Sequence, residues 1–196
     1  MRLTANIIHM PARADRMENI VKQSTEQGFE YVLWPAQKPV EREKTCAAIS
    51  RAHKQIVRHA KDTKLREVLI MEDDVRFTAP GAFDYFMEQL EGRYVKDFGL
   101  YHIYLGGIMT GRPLESMVRD FSGLHCYVVH EDFYDTFLGA DENQHLDRWL
   151  ACTKGAFHIC HPMVAFQTDG YSDNSSSMEF FAGRIRKYPK FGSDNK

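Results

Sequence analysis

The sequence has few cysteines, no long apolar run and no excess of charge of one sign. Its four cysteines are spread along 196 residues without a CxxC pair, which favours reduced thiols over a disulfide framework. No stretch approaches the roughly 20 apolar residues of a membrane-spanning helix, and the first ten residues hold too short an apolar run for a secretory signal. We therefore expect a cytoplasmic protein without a transmembrane segment.

The charge balance excludes binding by bulk electrostatic attraction. The chain has 25 Lys and Arg against 27 Asp and Glu, a formal net charge of −2. Such a balance provides no overall basic field for nucleic acid or an anionic membrane. Hydrophobic residues make up 43% and charged residues 27%, which is typical of a folded domain, and the length suits one domain.

Apolar periodicity predicts alternating strands and helices. Strands are predicted at residues 4–9, 29–34, 67–71, 99–105, 124–130 and 157–167, the last of them interrupted by Pro162. Helices are predicted between residues 11 and 28 and at 43–61, 80–90, 131–138 and 143–152. This order predicts an α/β domain over residues 1–175, with a mainly parallel central sheet, flanking helices and a mixed C-terminal half. A basic, aromatic tail is predicted at residues 176–196.

Three adjacent carboxylates follow a buried strand in the segment VLIMEDDV, residues 68–75. Carboxylates this close repel one another, so they indicate a divalent cation or a fixed hydrogen-bond network. Ligands of open α/β sheets bind at the carboxyl ends of strands, where this triplet is expected. A solvated turn is the structural alternative. A P-loop ATPase is excluded, because no GxxxxGK[ST] motif occurs.

Several motifs, taken in order, resemble glycosyltransferase family 25, which includes lipopolysaccharide and collagen galactosyltransferases. The matching segments are NIIHMPARADRMENI, CAAISRAHKQIV with VLIMEDDVRF, GLHCYVVHEDF, HLDRWL and PMVAFQTDGYSDN. The likeness extends over about residues 5–175. It departs from the family at Ser50 and His53, which two residues separate, and in the shortness of the chain.

The resemblance implies a GT-A-like fold, a nucleoside-diphosphate sugar donor and Mn²⁺ or Mg²⁺. Asp74 is the first candidate metal ligand, with Glu72 at the other end of a DxD-like spacing and His161 as a further candidate. Residues two apart on a strand point the same way, so Glu72 and Asp74 are expected to face the diphosphate together. Asp73 would then point elsewhere, toward the ribose.

Further donor-binding candidates come from the matching motifs and from a glycine pair. They are Arg13, Arg16, His53, Gly107, Asp173 and Asn174. Arginine can bind phosphate oxygens through two N–H groups, and glycine lets a backbone approach a ligand closely. Each also has a structural interpretation: a solvated helical turn for the arginines, a core histidine, a plain turn for the glycine and an Asx-turn for the last two residues.

Asp147, in HLDRWL, is the candidate general base. It lies off the apolar stripe of its predicted helix, so packing does not require it. An inverting sugar transfer needs a carboxylate that removes the proton of the attacking hydroxyl. The alternative is an exposed helix charge that pairs with its neighbours.

The expected function is metal-dependent transfer of a sugar, from a UDP-sugar by preference, to a hydroxyl acceptor with inversion. The acceptor classes left open are a glycan, a lipid-linked glycan, a protein and a modified nucleic-acid base. Two other functions compete. One is a metal-dependent nuclease or nucleotidyltransferase, which would need a second carboxylate cluster and a basic groove. The other is a non-catalytic module that binds nucleotide sugars.

Overall fold

The computed structural model describes residues 2–96, 101–114, 117–172, 177–180 and 188–193. The helices are α1 Ala14–Gln27, α2 Thr45–Asp62, α3 Ala82–Lys96, α4 Tyr134–Leu138 and α5 Leu146–Cys152. The strands are β1 Ala5–His9, β2 Tyr31–Pro35, β3 Glu67–Glu72, β4 Val75–Phe77, β5 Ile103–Leu105, β6 Thr110–Leu114, β7 Met117–Ser122, β8 Cys126–His130, β9 Phe157–Ile159, β10 Ala165–Gln167, β11 Gly170–Ser172 and β12 Ser177–Glu179. Within these ranges, no helix combines the length and the apolar character that crossing a membrane requires.

Eight strands form the central sheet in the order β2-β1-β3-β8-β5-β9-β7-β6. The N-terminal strands β2, β1 and β3 pair in parallel, as do β5 and β9, whereas the remaining pairs are antiparallel. Two small sheets, β4 with β10 and β11 with β12, lie beside it. The predicted α/β class, with flanking helices and a mixed C-terminal half, is confirmed. The described central sheet is mixed rather than mainly parallel, because only its N-terminal strands and the β5–β9 pair run in parallel.

Strand β3 separates two apolar cores because alternate side chains of a strand point to opposite faces. Ile70 lies in one core with Ile56 of α2, and Leu69 lies in the other with Phe83 of α3. Its continuous apolar sequence is therefore explained by burial on both faces. The same alternation places Glu72, two residues after Ile70, on the side of the sheet that α2 covers.

The strand predicted over residues 157–167, with an interruption at Pro162, is two strands in different sheets. The structure contains two strands there, β9 in the central sheet and β10 in a small sheet with β4. Pro162 lies between them, and proline lacks the N–H that a continuous central strand needs. Strands β6 and β7 were not predicted, since Gly111, Pro113 and several charged residues hide their alternation.

The last described residues pack against the main domain. Tyr188 is buried, and its hydroxyl donates a hydrogen bond to the carbonyl of Gly111 at 3.0 Å. The ring of Phe191 stacks on Tyr85 with centroids 4.7 Å apart. Strand β12 pairs with β11 across the predicted domain boundary. The boundary itself stays a prediction.

Candidate functional site

A cavity of about 330 Å³ opens beside the carboxyl ends of β1 and β3. Neighbouring parallel strands end at one edge of a sheet, so the loops that follow them meet there. The cavity is lined from β1 by Ile8 and Met10 and from β3 by the acidic triplet. Helix α2 closes one wall and the start of α5 another.

Six of the predicted site residues line this cavity although they come from distant parts of the sequence. They are Arg16, His53, Glu72, Asp73, Asp74 and Asp147. Arg13, Gly107 and His161 do not line it. Asp173 and Asn174 lie outside the described residues. The structure thus assembles the acidic triplet, one arginine, the histidine and the candidate base in one place.

Asp73 is bound by several protein groups. Its Oδ1 accepts a hydrogen bond from Arg16 Nη1 at 2.6 Å, and its Oδ2 accepts one from the backbone N–H of Met10 at 3.2 Å. His9 Nδ1 lies 3.0 Å from the same Oδ2. These contacts connect β1, α1 and the loop after β3. Asp73 therefore has a structural role, whether or not it also contacts a ligand.

Glu72 and Asp74 approach the same amide group. Gln167 Nε2 lies 2.9 Å from Glu72 Oε2 and 3.4 Å from Asp74 Oδ1. Arg16 Nη1 is 3.2 Å from the other oxygen of Asp74. This geometry agrees with the expectation that the two carboxylates face one point. Gln167 Oε1 is buried and finds no hydrogen-bond partner in the part of the chain that the structure describes.

Burial makes the charges of this pair unequal. Desolvation, followed by the negative charge of Glu72, raises the pKa of Asp74 to about 7. Desolvation would also raise the pKa of Glu72, but the hydrogen bond from His53 lowers it below its ordinary value. Glu72 is therefore the carboxylate that stays ionised, while Asp74 is about half protonated near pH 7.

The described lining of the cavity is acidic. Five carboxylates contribute to it, namely Glu72, Asp73, Asp74, Asp147 and Glu179. Its permanently charged bases are Arg16 and Lys38. The described lining therefore carries more negative than positive charge, which disfavours an anion such as a diphosphate unless a cation enters with it.

Asp147 is oriented by backbone groups on two elements. Its Oδ2 accepts a hydrogen bond from the N–H of Gly123 at 2.9 Å, and its Oδ1 accepts one from Arg148 N–H at 2.7 Å. Gly123 follows β7, while Asp147 lies in the first turn of α5. The carboxylate is thereby held at the cavity wall and does not need a side-chain partner to define its direction.

The two predicted arginines differ in position. Arg13 forms an ion pair with Asp15 at 2.8 Å, which lowers the pKa of Asp15 to about 2. Arg16 instead reaches Asp73 and Asp74. Both arginines also donate to the carbonyl oxygen of Tyr171 in β11, at 3.3 and 3.2 Å. These bonds hold the β11–β12 hairpin against α1, and Glu179 of this hairpin extends to the cavity.

Gly107 and His161 have other surroundings. A Cβ atom at Gly107 would lie 2.0 Å from the carbonyl oxygen of Ala165, so close packing against β10 explains this glycine. The carbonyl of His161 accepts a hydrogen bond from Tyr85 at 2.8 Å, and the residue lines a separate cavity of about 150 Å³. Across the described ranges, no three His, Cys, Asp or Glu residues are grouped as a metal site, so His161 does not join Glu72 and Asp74.

Sequence reasoning missed several cavity residues and one residue behind the cavity. Gln37, Lys38, His145 and Gln167 line the cavity, and Tyr127 contacts His53 behind Glu72. Gln167 and Tyr127 occur within motifs that the sequence analysis had compared with family 25. A neutral amide or phenol carries no distinctive signal in sequence, so only their placement reveals them.

Comparison with known proteins shows the fold. No protein-family model and no curated protein matches the sequence. The solved structure of A197 from STIV is 14% identical, with a TM-score of 0.57 over 91% of this chain and 93% of that chain. A glycosyltransferase involved in glycosylation of the major capsid of PBCV-1 is 15% identical, with a TM-score of 0.37 over 70% of this chain and 64% of that chain. UTP-bound UGPase from Acinetobacter baumannii is 11% identical, with a TM-score of 0.48 over 85% and 88%.

The likeness to A197 from STIV extends over nearly the whole of both chains, so the two proteins share their fold. At 14% identity this likeness does not extend to activity. Membership of glycosyltransferase family 25 stays a prediction.

Proposed function

We propose that this protein is a metal-dependent glycosyltransferase that moves a sugar from a nucleoside-diphosphate donor, preferably a UDP-sugar, to a hydroxyl acceptor with inversion. The observation that carries the proposal is that Glu72 and Asp74 lie beside the same Gln167 amide at the carboxyl end of β3. Both line a cavity whose lining is acidic. A diphosphate can enter such a cavity only when a cation offsets this charge.

The donor atoms suit a hard divalent cation such as Mn²⁺ or Mg²⁺. Glu72 and Asp74 supply carboxylate oxygens, and the buried Oε1 of Gln167 is an amide oxygen without a partner among the described residues. Nucleotide-bound Mg²⁺ commonly uses one or two protein carboxylates, and the substrate phosphates and water supply the remaining ligands. The lack of a three-residue metal cluster in the described ranges therefore does not conflict with this role. When bound, the cation would neutralise charge that develops on the leaving diphosphate.

The cavity offers two chemically different regions to the donor and the acceptor. Pro39, Cys46 and Ile49 form an apolar wall on the α2 side, which suits the nucleoside. Met109 and Leu124 lie beside Gly123, whose N–H holds Asp147. We assign the acceptor to this second region, because the candidate base is there.

Asp147 acts as the general base of the proposed reaction. The acceptor oxygen forms a bond to the anomeric carbon while the bond from that carbon to the diphosphate oxygen breaks. The hydroxyl proton passes to the Asp147 carboxylate, so the charge on the attacking oxygen is removed as the bond forms. A single displacement of this kind inverts the configuration at the anomeric carbon.

The competing functions find less support in the described residues. A nuclease needs a basic groove and a second carboxylate cluster, whereas this lining has Arg16 and Lys38 as its permanently charged bases. A module that only binds nucleotide sugars would use the same cavity without needing a held carboxylate at Asp147.

Nucleotide binding by the full chain tests the proposal. We expect UDP with Mn²⁺ to raise the melting temperature, because a ligand bound only by the folded state stabilises it by mass action. Asp74→Ala should remove this increase, and UDP-sugar should be transferred or slowly hydrolysed. Cleavage of DNA or RNA without nucleoside-diphosphate binding would favour the nuclease. Binding of UDP-sugar without any turnover would favour the non-catalytic module.

A further inference from the structure

Two buried side chains, Tyr127 and His53, form a line that ends at the half-buried Glu72. The hydroxyl of Tyr127 lies 2.7 Å from His53 Nδ1, and His53 Nε2 lies 3.3 Å from Glu72 Oε1. Tyr127 is fully buried and His53 is 1% exposed. Strand β8 places Tyr127 directly beside Ile70 of β3, and α2 contributes His53.

The chemistry of these groups determines which of them donates and which accepts each hydrogen bond. An ionised carboxylate only accepts hydrogen bonds, so His53 Nε2 must carry the proton that it donates to Glu72. In a neutral imidazole, Nδ1 then holds a lone pair and needs a donor. The Tyr127 hydroxyl is placed to be that donor. The opposite tautomer would bring the lone pair of Nε2 against a carboxylate oxygen.

The two oxygens of Glu72 have different partners. Oε1 faces His53, whereas Oε2 lies 2.9 Å from Gln167 Nε2 in the cavity. Anchoring Oε1 therefore determines where Oε2 points. The glutamate side chain has several rotatable bonds, so the strand fixes its Cα but not the position of its carboxylate. A hydrogen-bonded neighbour is needed to fix the direction of the carboxylate.

We propose that Tyr127 is a positioning residue of this site, which holds the His53 ring by donating to Nδ1 and, through His53, fixes the direction of the Glu72 carboxylate. The inference rests on the proposed function, in which Glu72 binds the cation. Tyr127 itself is behind Glu72 and has no contact with a ligand. Its role in the site differs from that of a tyrosine that only fills the core.

The first experiment measures the tautomer without any metal or substrate. In the ¹⁵N-histidine-labelled full chain, NMR of the ring nitrogens distinguishes the two tautomers, and His53→Gln identifies the His53 signals. We expect the Nε2–H tautomer in both the wild type and Tyr127→Phe, and in the variant an Nδ1 signal moved toward that of an imidazole nitrogen without a hydrogen-bond donor. An imidazolium or an Nδ1–H tautomer in the wild type, or an unchanged Nδ1 signal in Tyr127→Phe, would overturn the proposal.

The second experiment measures Mn²⁺ affinity by calorimetry. We expect Tyr127→Phe to weaken binding about tenfold, on the scale seen when groups supporting a metal ligand are removed. His53→Gln, whose amide can donate to Glu72 and accept from Tyr127, should retain more affinity than His53→Leu. Tyr134→Phe is the matched control, since its hydroxyl makes one hydrogen bond, to the Leu65 carbonyl at 3.1 Å.

The outcomes separate the inference from the proposed function. If the wild type binds Mn²⁺ and Tyr127→Phe binds it equally well, the positioning role is wrong and the proposed function stands. If Tyr134→Phe weakens binding as much as Tyr127→Phe, the effect is general destabilisation and the positioning role is also wrong. If the wild type binds no Mn²⁺, both the proposed function and the positioning role are wrong, whatever tautomer the spectra show.

Discussion

Gln167 Nε2 lies 2.9 Å from Glu72 Oε2, although 95 positions separate the two residues in the chain. Strand β10 carries Gln167 and pairs with β4, directly after the acidic triplet, rather than with the central sheet. A backbone hydrogen bond from Thr168 N–H to the carbonyl of Asp74, at 3.0 Å, fixes the same contact. The small β4–β10 sheet therefore holds an amide group against both carboxylates.

The position of this amide leads to a prediction about metal affinity. Rotation of the amide would turn Oε1 of Gln167 toward the carboxylates, where a cation gains a third oxygen. Gln167→Leu should weaken Mn²⁺ binding by at least about tenfold, a scale typical of groups that support a metal site. Gln167→Glu should bind Mn²⁺ at least as well as the wild type, because it adds a carboxylate.

Gln37→Leu provides the matched control for this titration calorimetry. Gln37 also lines the cavity, but its amide donates to Gln55 at 2.7 Å. Its substitution changes the polarity of the lining and should leave Mn²⁺ affinity unchanged. If Gln167→Leu binds Mn²⁺ with the affinity of the wild type, the Gln167 amide is not a metal ligand and only separates the two carboxylates.

Asp74 should make the metal-free protein less stable as the pH rises. Its pKa is about 7 in the fold against an ordinary value of 3.8. Between these values the folded state holds a proton that the unfolded chain has lost, so the free energy of unfolding falls with rising pH and levels off above pH 7. In EDTA at pH 8, Asp74→Asn should be more stable than the wild type by roughly 1–4 kcal/mol, because the pKa of Asp74 differs by about three between the folded and the unfolded state.

Urea denaturation at several pH values checks this expectation. The difference between Asp74→Asn and the wild type should shrink toward pH 4, where Asp74 is protonated in the folded state and about two-fifths protonated in the unfolded chain, whose pKa is 3.8. A difference that stays constant from pH 4 to pH 8 would mean that Asp74 titrates normally in the fold.

Asp147→Asn should separate donor binding from transfer. Its amide oxygen can accept from one of the two backbone N–H groups of Gly123 and Arg148, its NH₂ group faces the other, and the side chain cannot remove a proton. We expect the transfer rate to fall by about 10²–10⁴-fold, the usual contribution of a general base, with little change in UDP affinity. Equal loss of binding and turnover would instead assign Asp147 to donor binding or to folding.

Gly107→Ala should destabilise the fold by displacing β10, the strand that carries Gln167. The added methyl group would meet the Ala165 carbonyl at 2.0 Å, so β10 has to move. Overpacking of this kind costs about 1–3 kcal/mol, which thermal or urea denaturation can measure. Unchanged stability would show that β10 shifts freely, and Gln167 would then not be held firmly.

The N-terminal half of the fold was predictable because its signals are local. The run EVLIM, followed by three acids, predicted β3 and the site at its end, and the apolar spacing around Ile56 predicted α2. Arg16 and His53 could be named as candidates from their motifs. Their separate roles, with Arg16 at the triplet and His53 behind Glu72, required the structure.

The remaining features depend on contacts between distant segments. Gln167 reaches the triplet through the β4–β10 pairing, and Tyr127 reaches His53 through the β3–β8 pairing. Neither register can be deduced from the spacing of residues in one segment. Pro113 and neighbouring charges concealed β6 and β7, and the glycine at 107 suggested a ligand where the structure has the Ala165 carbonyl.

The most direct test of the central claim, that Glu72 and Asp74 bind a cation together with a nucleoside diphosphate, is calorimetric titration of UDP into the full chain with Mn²⁺ or with EDTA. We predict binding with Mn²⁺ only, loss of at least about 100-fold in affinity in Asp74→Ala, and no change in Asp135→Ala, which removes a surface carboxylate paired with Lys61. UDP binding that is as strong in EDTA as with Mn²⁺, and as strong in Asp74→Ala as in the wild type, would contradict the account.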